Sequence, residues 1–196
     1  VGTDVDALWT AMLAGRTGIT RLTQVPLDQH RTVVGAEIPS PQLADCMTAR
    51  GVAPGGDRAV DLALLAADEA LHAAFGAEPL TTPRSVATLV GSGIGCPTTL
   101  MPGVMAFGEK GLRGVRPTTV PRSMTNALSA QIAMRYRLTG ANYVIVAACT
   151  SSSNAVGIGF RMIRDGYARQ VLCVGADTPF DPFVYAAWNN LGVMSK

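Results

Sequence analysis

The chain has 196 residues and a formal net charge of +2, with 48% apolar and only 15% charged residues. This length fits one domain with a sizeable core, or half of something larger, and the charged share lies well below the roughly 25% usual for a soluble domain. No Lys/Arg cluster exceeds two adjacent residues, which argues against a nucleic-acid partner, and no apolar run reaches the ~18 residues of a membrane-spanning helix.

"TDVDALWTAMLAG" reads as a first helix, with Thr3 as N-cap, Asp6 three residues on, and Gly15 as the stop. "TVVGAEI" (Thr32 to Ile38) reads as a short strand, and residues 39–56 as a loop around a helical turn. Asp57 is expected to cap a helix whose apolar face is Val60, Leu64, Ala67, Leu71 and Phe75, ended by Gly76. "SVATLVGSGIG" (Ser85 to Gly95) is a buried strand running into glycines. Residues 96–121 read as a long irregular segment, and "RSMTNALSAQIAMRYRLTG" as a helix ending at Gly140. A strand over 143–148, a helix over about 152–165, a strand over Gln170 to Ala176 and a helix within "FVYAAWNNLGVM" complete the chain. Near-continuous apolar strands alternating with helices imply an α/β fold with a parallel-rich sheet covered on both faces.

Cys46, Cys96, Cys149 and Cys173 form no CxxC pair, and His30 and His72 are the only histidines. Neither a zinc site nor a disulfide framework is expected, and no signal peptide is visible, which points to a reducing, cytoplasmic setting. The chain opens at Val1 without a methionine and ends at Lys196 with no closing element. It reads as a fragment, a processed chain or one half of a split protein, and its low charge as apolar surface covered by a partner or by a missing part.

Cys149 stands at a strand-to-helix switch, the edge where α/β folds place their sites. The N-terminus of the next helix favours a thiolate and offers N–H groups to a developing oxyanion. This is the logic of a nucleophile elbow with sulfur in place of oxygen. The competing reading is a buried structural cysteine, the reading that also fits Cys173 in mid-strand. "GSGIGC" and "GIGFRM" both fail the GxGxxG dinucleotide pattern. His30 and His72 read as ordinary surface residues.

"AACTSSSNAVGIGF" resembles the nucleophile motif of elongating β-ketoacyl-acyl-carrier-protein synthases, in the thiolase superfamily. "GRTGI", "GSGIG", "TVPRSMTNALSAQIAMRYRLTG" and "VGADTPFDPFVYAAWNNLGVMS" resemble further segments of that family, in order and over nearly the whole chain. The resemblance implies a thiolase-like αβαβα layered fold, with residues 1–196 as most of the N-terminal half, lacking the first strand and the C-terminal half. It implies acyl transfer from a carrier thioester to Cys149, then decarboxylative condensation with a malonyl-type extender in fatty-acid or polyketide synthesis. No metal or redox cofactor is implied; the phosphopantetheine arm of an acyl carrier protein delivers both substrates.

On this resemblance Cys149 is the acylated residue and its own N–H an oxyanion donor. Ala148 and Ile94 belong to the substrate site, Ile94 as the gate to the acyl tunnel. Trp188 falls where the family usually has a phenylalanine beside the cysteine, which implies a changed pocket, or else a ring that merely packs the core. Arg113 and Arg116 fall in the loop that meets the acidic carrier, with Lys110, Arg50 and Arg58 as further members of the patch; a solvated face is the alternative. The helix 123–138 would form the interface of a homo- or heterodimer. The family's two catalytic histidines and its lysine lie in the second half, and His30 and His72 match neither motif, so the C-terminal half is an implied partner, in the same or a separate chain. A non-catalytic subunit resembling a chain-length factor is the alternative, against which Cys149 itself argues; an acyl transferase or hydrolase without condensation is a third.

Overall fold

The computed structural model describes residues 2–76, 80 and 82–195. The chain divides into two compact units, residues 1–49 with 179–196, and residues 50–178.

In the first unit, helix α1 spans Val5–Leu13. Its N-cap is Asp4, one residue beyond the expected Thr3: the Asp4 carboxylate accepts from the Ala7 N–H at 2.7 Å. A charged acceptor facing the helix dipole outcompetes a hydroxyl. Strands β1 (Thr20–Arg21) and β2 (Val34–Gly35) pair antiparallel, so the expected strand at 32–38 contracts to a two-residue core. Helix α2, Ser40–Ala49, replaces the expected loop and buries Leu43 and Met47, one turn apart. The proline at position 41 lies in the first turn, where its missing N–H is harmless. Helix α8, Pro182–Leu191, is capped by the Asp181 carboxylate and stopped by Gly192 in the left-handed conformation. Tyr185 of α8 packs with Leu22 and Val25, and its hydroxyl donates to the Thr32 carbonyl at 3.1 Å. His30 is half-buried, edge-on to the Tyr185 ring at 5.2 Å, which corrects the surface assignment.

The second unit is built on a parallel sheet of order β4-β3-β5: β3 is Ala87–Gly91, β4 Asn142–Ile145 and β5 Val171–Gly175. Leu89 lies opposite both Tyr143 and Cys173. All five residues of β3 are buried, as befits a central strand. Helix α3, Arg58–Phe75, forms as expected: the Asp57 carboxylate caps it, and Gly76 ends it at φ 62°. Its Val60, Ala63, Leu64, Ala67 and Leu71 are buried. Helix α6, Ala127–Arg135, packs against α3 and against the sheet, with Leu128 and Ile132 inaccessible to solvent. Each such side chain contributes about 1.5–3 kcal/mol by leaving water. Tyr136 is also buried, donating from its hydroxyl to Asp68 at 3.0 Å. Helix α7, Ser151–Arg164, packs on all three strands. Its Gly159 lies against Cys173, Val171 and Leu89, so those side chains face α7.

The expected irregular segment is largely helical. Helix α4 runs Pro97–Lys110, a 3-10 turn follows over Gly111–Gly114, and helix α5 spans Thr119–Ser123. Pro102, Gly103 and Gly108 weaken the helical signal of α4. Packing overrides it. Gly114 folds back so tightly that a Cβ there would overlap the Ala106 carbonyl, and Gly103 receives the Thr119 side chain. The single helix expected over 122–140 is broken at Met124, whose extended backbone separates α5 from α6.

Candidate active site

The strand β4 ends at Ile145, and the chain then turns through Ala148–Thr150 into α7. Cys149 sits in this turn and is exposed. Ala148 adopts φ 48°, a left-handed conformation costing roughly 1–2 kcal/mol for a residue with a Cβ. The side chain that holds it is Ser151, which is 2% exposed. Its hydroxyl donates to the Ala148 carbonyl at 2.7 Å and accepts from the Ala147 N–H at 2.9 Å. Thr150 adds a bond from its hydroxyl to the Ala147 carbonyl at 2.8 Å. Among the described residues the Cys149 N–H makes no hydrogen bond, so a donor stands free at the N-terminus of α7.

Two strand ends are shaped to admit this turn. A Cβ on Gly91 would lie 2.4 Å from the backbone of Ser151 and Ser152, and one on Gly175 would strike the Ser152 side chain. Glycine lets α7 start directly on the sheet edge, so its first N–H groups converge there.

The loop after β3 passes against the same turn. A Cβ on Gly93 would lie 3.3 Å from the Ala148 carbonyl oxygen. Ile94, half-buried, follows in this loop. The structure thus brings the loop of Ile94 to the turn of Ala148 and Cys149. Trp188 lies in the first unit, on α8, one turn after Tyr185 and 38% exposed.

The other thiols differ in environment. Burial, reinforced by the nearby Asp57 carboxylate, pushes the Cys96 thiol up to about 12. Burial also raises Cys173, which is half-buried rather than fully enclosed and lies 3.4 Å from the Ala155 carbonyl. Both stay protonated at neutral pH and are poor nucleophiles.

Lys110, Arg113 and Arg116 line one cleft of about 550 Å³ together with Arg122, and none of its lining residues is acidic. Arg50, which pairs with Asp68 and Glu69 at 3.7 Å, and Arg58 do not line this cleft. Of the five basic residues grouped by sequence, the cleft brings together Lys110, Arg113 and Arg116, and it adds Arg122. Sequence spacing missed Arg122 because it reads as the first residue of the helix expected over 122–140, separate from the segment that carries Arg113 and Arg116.

Sequence reasoning also missed Ser151 as the support of the turn, and Asp177. The latter follows β5, and its carboxylate accepts from the Ser92 hydroxyl and from the Gly93 and Ile94 N–H groups at 2.9–3.1 Å.

A glycine-backed turn presenting an exposed cysteine at a helix N-terminus gives this α/β protein a strand–turn–helix with the shape of a nucleophile elbow. The chain matches the family model for the β-ketoacyl synthase N-terminal domain over residues 1–196, and it belongs to that family. It is 26% identical to 3-oxoacyl-acyl-carrier-protein synthase 2 of Synechocystis sp., over 100% of this chain and 47% of that protein. It is 27% identical to the tetracenomycin polyketide synthase ketoacyl synthase alpha subunit of Streptomyces glaucescens, over 99% of this chain and 47% of that protein. Among solved structures, the ishigamide ketosynthase/chain length factor superposes with a TM-score of 0.79 at 22% identity, covering 100% of this chain and 48% of its own. The fold is thus the layered, thiolase-like α/β fold expected from the resemblance. The chain spans about half the length of the curated relatives it matches.

Proposed function

We propose that this chain is the N-terminal half of a ketosynthase acting in fatty-acid or polyketide synthesis, and that Cys149 is its acyl acceptor. The observation that carries the reading is the exposed Cys149 beside a left-handed Ala148, with its own N–H free. The thiolate attacks the carbonyl of a carrier-bound thioester. The Cys149 N–H donates to the oxyanion of the tetrahedral intermediate, whose collapse expels the phosphopantetheine thiolate and leaves an acyl-cysteine. Acyl exchange between thiols is redox-neutral and needs no metal. A malonyl-type extender then loses CO2, and the resulting enolate attacks the acyl-cysteine, forming the carbon–carbon bond and returning the thiolate. Groups for the decarboxylation belong to the C-terminal half, in the same or a separate chain.

Helix α7 supports the need for that half. It turns Ala155 and Gly159 to the sheet, yet exposes a stripe of Val156, Phe160 and Ile163 spaced four and three apart, each about half or more exposed. Dimerisation, homo- or heteromeric, would use α6 and its approach, where Met124 and Met134 are exposed. The free thiols suit a reducing cytoplasm. No helix among the described residues is long and apolar enough to cross a membrane.

The test is intact-mass spectrometry after exposure to acyl thioesters of several lengths, beside Cys149→Ala. One acyl adduct, lost in the variant, is expected. An adduct that persists in Cys149→Ala, or none at any length, overturns the catalytic reading and favours the non-catalytic, chain-length-factor-like subunit.

The cationic cleft of Lys110, Arg113, Arg116 and Arg122 is the docking surface for the acidic acyl carrier protein. Replacing Arg113 and Arg116 by Glu should weaken carrier binding by about tenfold or more, less so as salt is added. Affinity equal to that of the wild type in a titration would sink this assignment.

A further inference from the structure

We propose that Asp177 is the latch of the loop carrying Ile94, and that the latched loop decides which acyl lengths Cys149 accepts. The inference rests on the reading of Cys149 as the acyl acceptor and on the role of gate to the acyl tunnel that the family resemblance implies for Ile94.

The loop Ser92–Gly95 is poor in constraints of its own. Ile94 stands between Gly93 and Gly95, and Gly95 adopts φ 77°, a left-handed conformation open to glycine at little penalty. A residue between two glycines has no intrinsic reason to hold one position. Its order is imposed from another strand. One oxygen of the Asp177 carboxylate accepts from the Ser92 hydroxyl at 2.9 Å, the Gly93 N–H at 3.1 Å and the Ile94 N–H at 2.9 Å, while the other accepts from the Gly93 N–H at 3.0 Å. The Ser92 hydroxyl, fully buried, accepts in turn from the Gly95 N–H at 3.0 Å. Four consecutive residues are thus tied, three directly and one through Ser92, to a single side chain. Bonds to an ionised acceptor are the stronger kind.

The location gives the latch its effect. Gly93 backs onto the Ala148 carbonyl, so the latch fixes Ile94 relative to the nucleophile turn. Asp177 itself is exposed, unlike a core strut, so removing it perturbs the loop before it perturbs the fold. A fixed isoleucine discriminates acyl chains by the space it leaves, and an unlatched one yields to longer chains. Asp177 is a positioning residue: it touches the loop, not the acyl group.

The experiment measures second-order rate constants for acylation of Cys149 by acyl-CoA thioesters from acetyl to dodecanoyl, in wild type, Asp177→Ala and Asp177→Asn. Amide hydrogen exchange at Gly93, Ile94 and Gly95 is followed in parallel. Asp177→Ala is expected to change the ratio of dodecanoyl to acetyl rates by about tenfold, the scale on which a pocket resolves small differences in apolar volume, and to speed exchange at the three amides. Asp177→Asn keeps an acceptor oxygen without the charge and should recover part of both. The proposal is overturned if the length profile of Asp177→Ala matches wild type, if all lengths fall together with the thermal midpoint, or if exchange in the loop is unchanged. A wild-type protein that takes no acyl group from any thioester overturns the acyl-acceptor reading instead, and this inference with it.

Discussion

Gly91→Ala should cost this protein both its stability and its acyl adduct. Gly91 closes the central strand β3 and is buried. Its φ is not left-handed, so the penalty is wholly steric. The added Cβ would lie 2.4 Å from the carbonyl carbon and oxygen of Ser151 and the nitrogen of Ser152. These are backbone atoms, and none can yield by a rotamer change. The first turn of α7 must lift from the sheet, carrying the Cys149 N–H with it. Overpacking usually costs ~1–3 kcal/mol, and a clash with backbone belongs at the upper end, against a total stability of about 5–15 kcal/mol. A urea-unfolding midpoint and the acyl adduct measured by mass report the two effects. Gly157→Ala is the control: nothing lies within 4 Å of that position, so the change should stabilise the exposed helix by roughly 0.5–1 kcal/mol. If Gly91→Ala keeps both the wild-type midpoint and the adduct, the helix does not need to start on the strand.

The parts of this fold that were legible in sequence are those coded locally. Asp57 and Gly76 bracket a regular apolar period, and the helix between them appears where that pattern puts it. The run into Cys149, followed by small polar residues and glycines, gave the strand, the turn and α7. Other elements were hidden because tertiary contact decides them. The segment of α4 contains a proline and two glycines that argue against a helix, and only the close return of Gly114 and Thr119 shows why small residues are wanted there. Asp4 replaced Thr3 as a cap by a shift of one residue, beyond what spacing resolves. The contribution of Asp177 was invisible for a deeper reason: it lies 83–85 residues from the groups it binds, and only the adjacency of β3 and β5 brings them together.

The Ser151 hydroxyl is the smallest group on which the turn that carries Cys149 depends, and Ser151→Ala separates fold from the proposed function. Deleting it removes the donor to the Ala148 carbonyl and the acceptor of the Ala147 N–H, both beside the left-handed residue. Each group left without a partner costs about 1–3 kcal/mol if it stays buried. The turn has an escape, because relaxing Ala148 recovers the roughly 1–2 kcal/mol of its strained conformation and lets the peptide reach solvent. Relaxation therefore wins, and the measured loss of stability should stay under about 2 kcal/mol. The same relaxation rotates the peptide that bears the Cys149 N–H. Acylation should then fall by on the order of 10²-fold, the usual effect of losing one oxyanion donor. The companion variant is Ser153→Ala: Ser153 is exposed, and neither quantity should move. Comparing acylation rates with denaturant midpoints for the two variants decides the matter. If Ser151→Ala acylates at the wild-type rate, the left-handed Ala148 is incidental to the chemistry. If rate and stability collapse together, the hydroxyl serves the fold and not the turn.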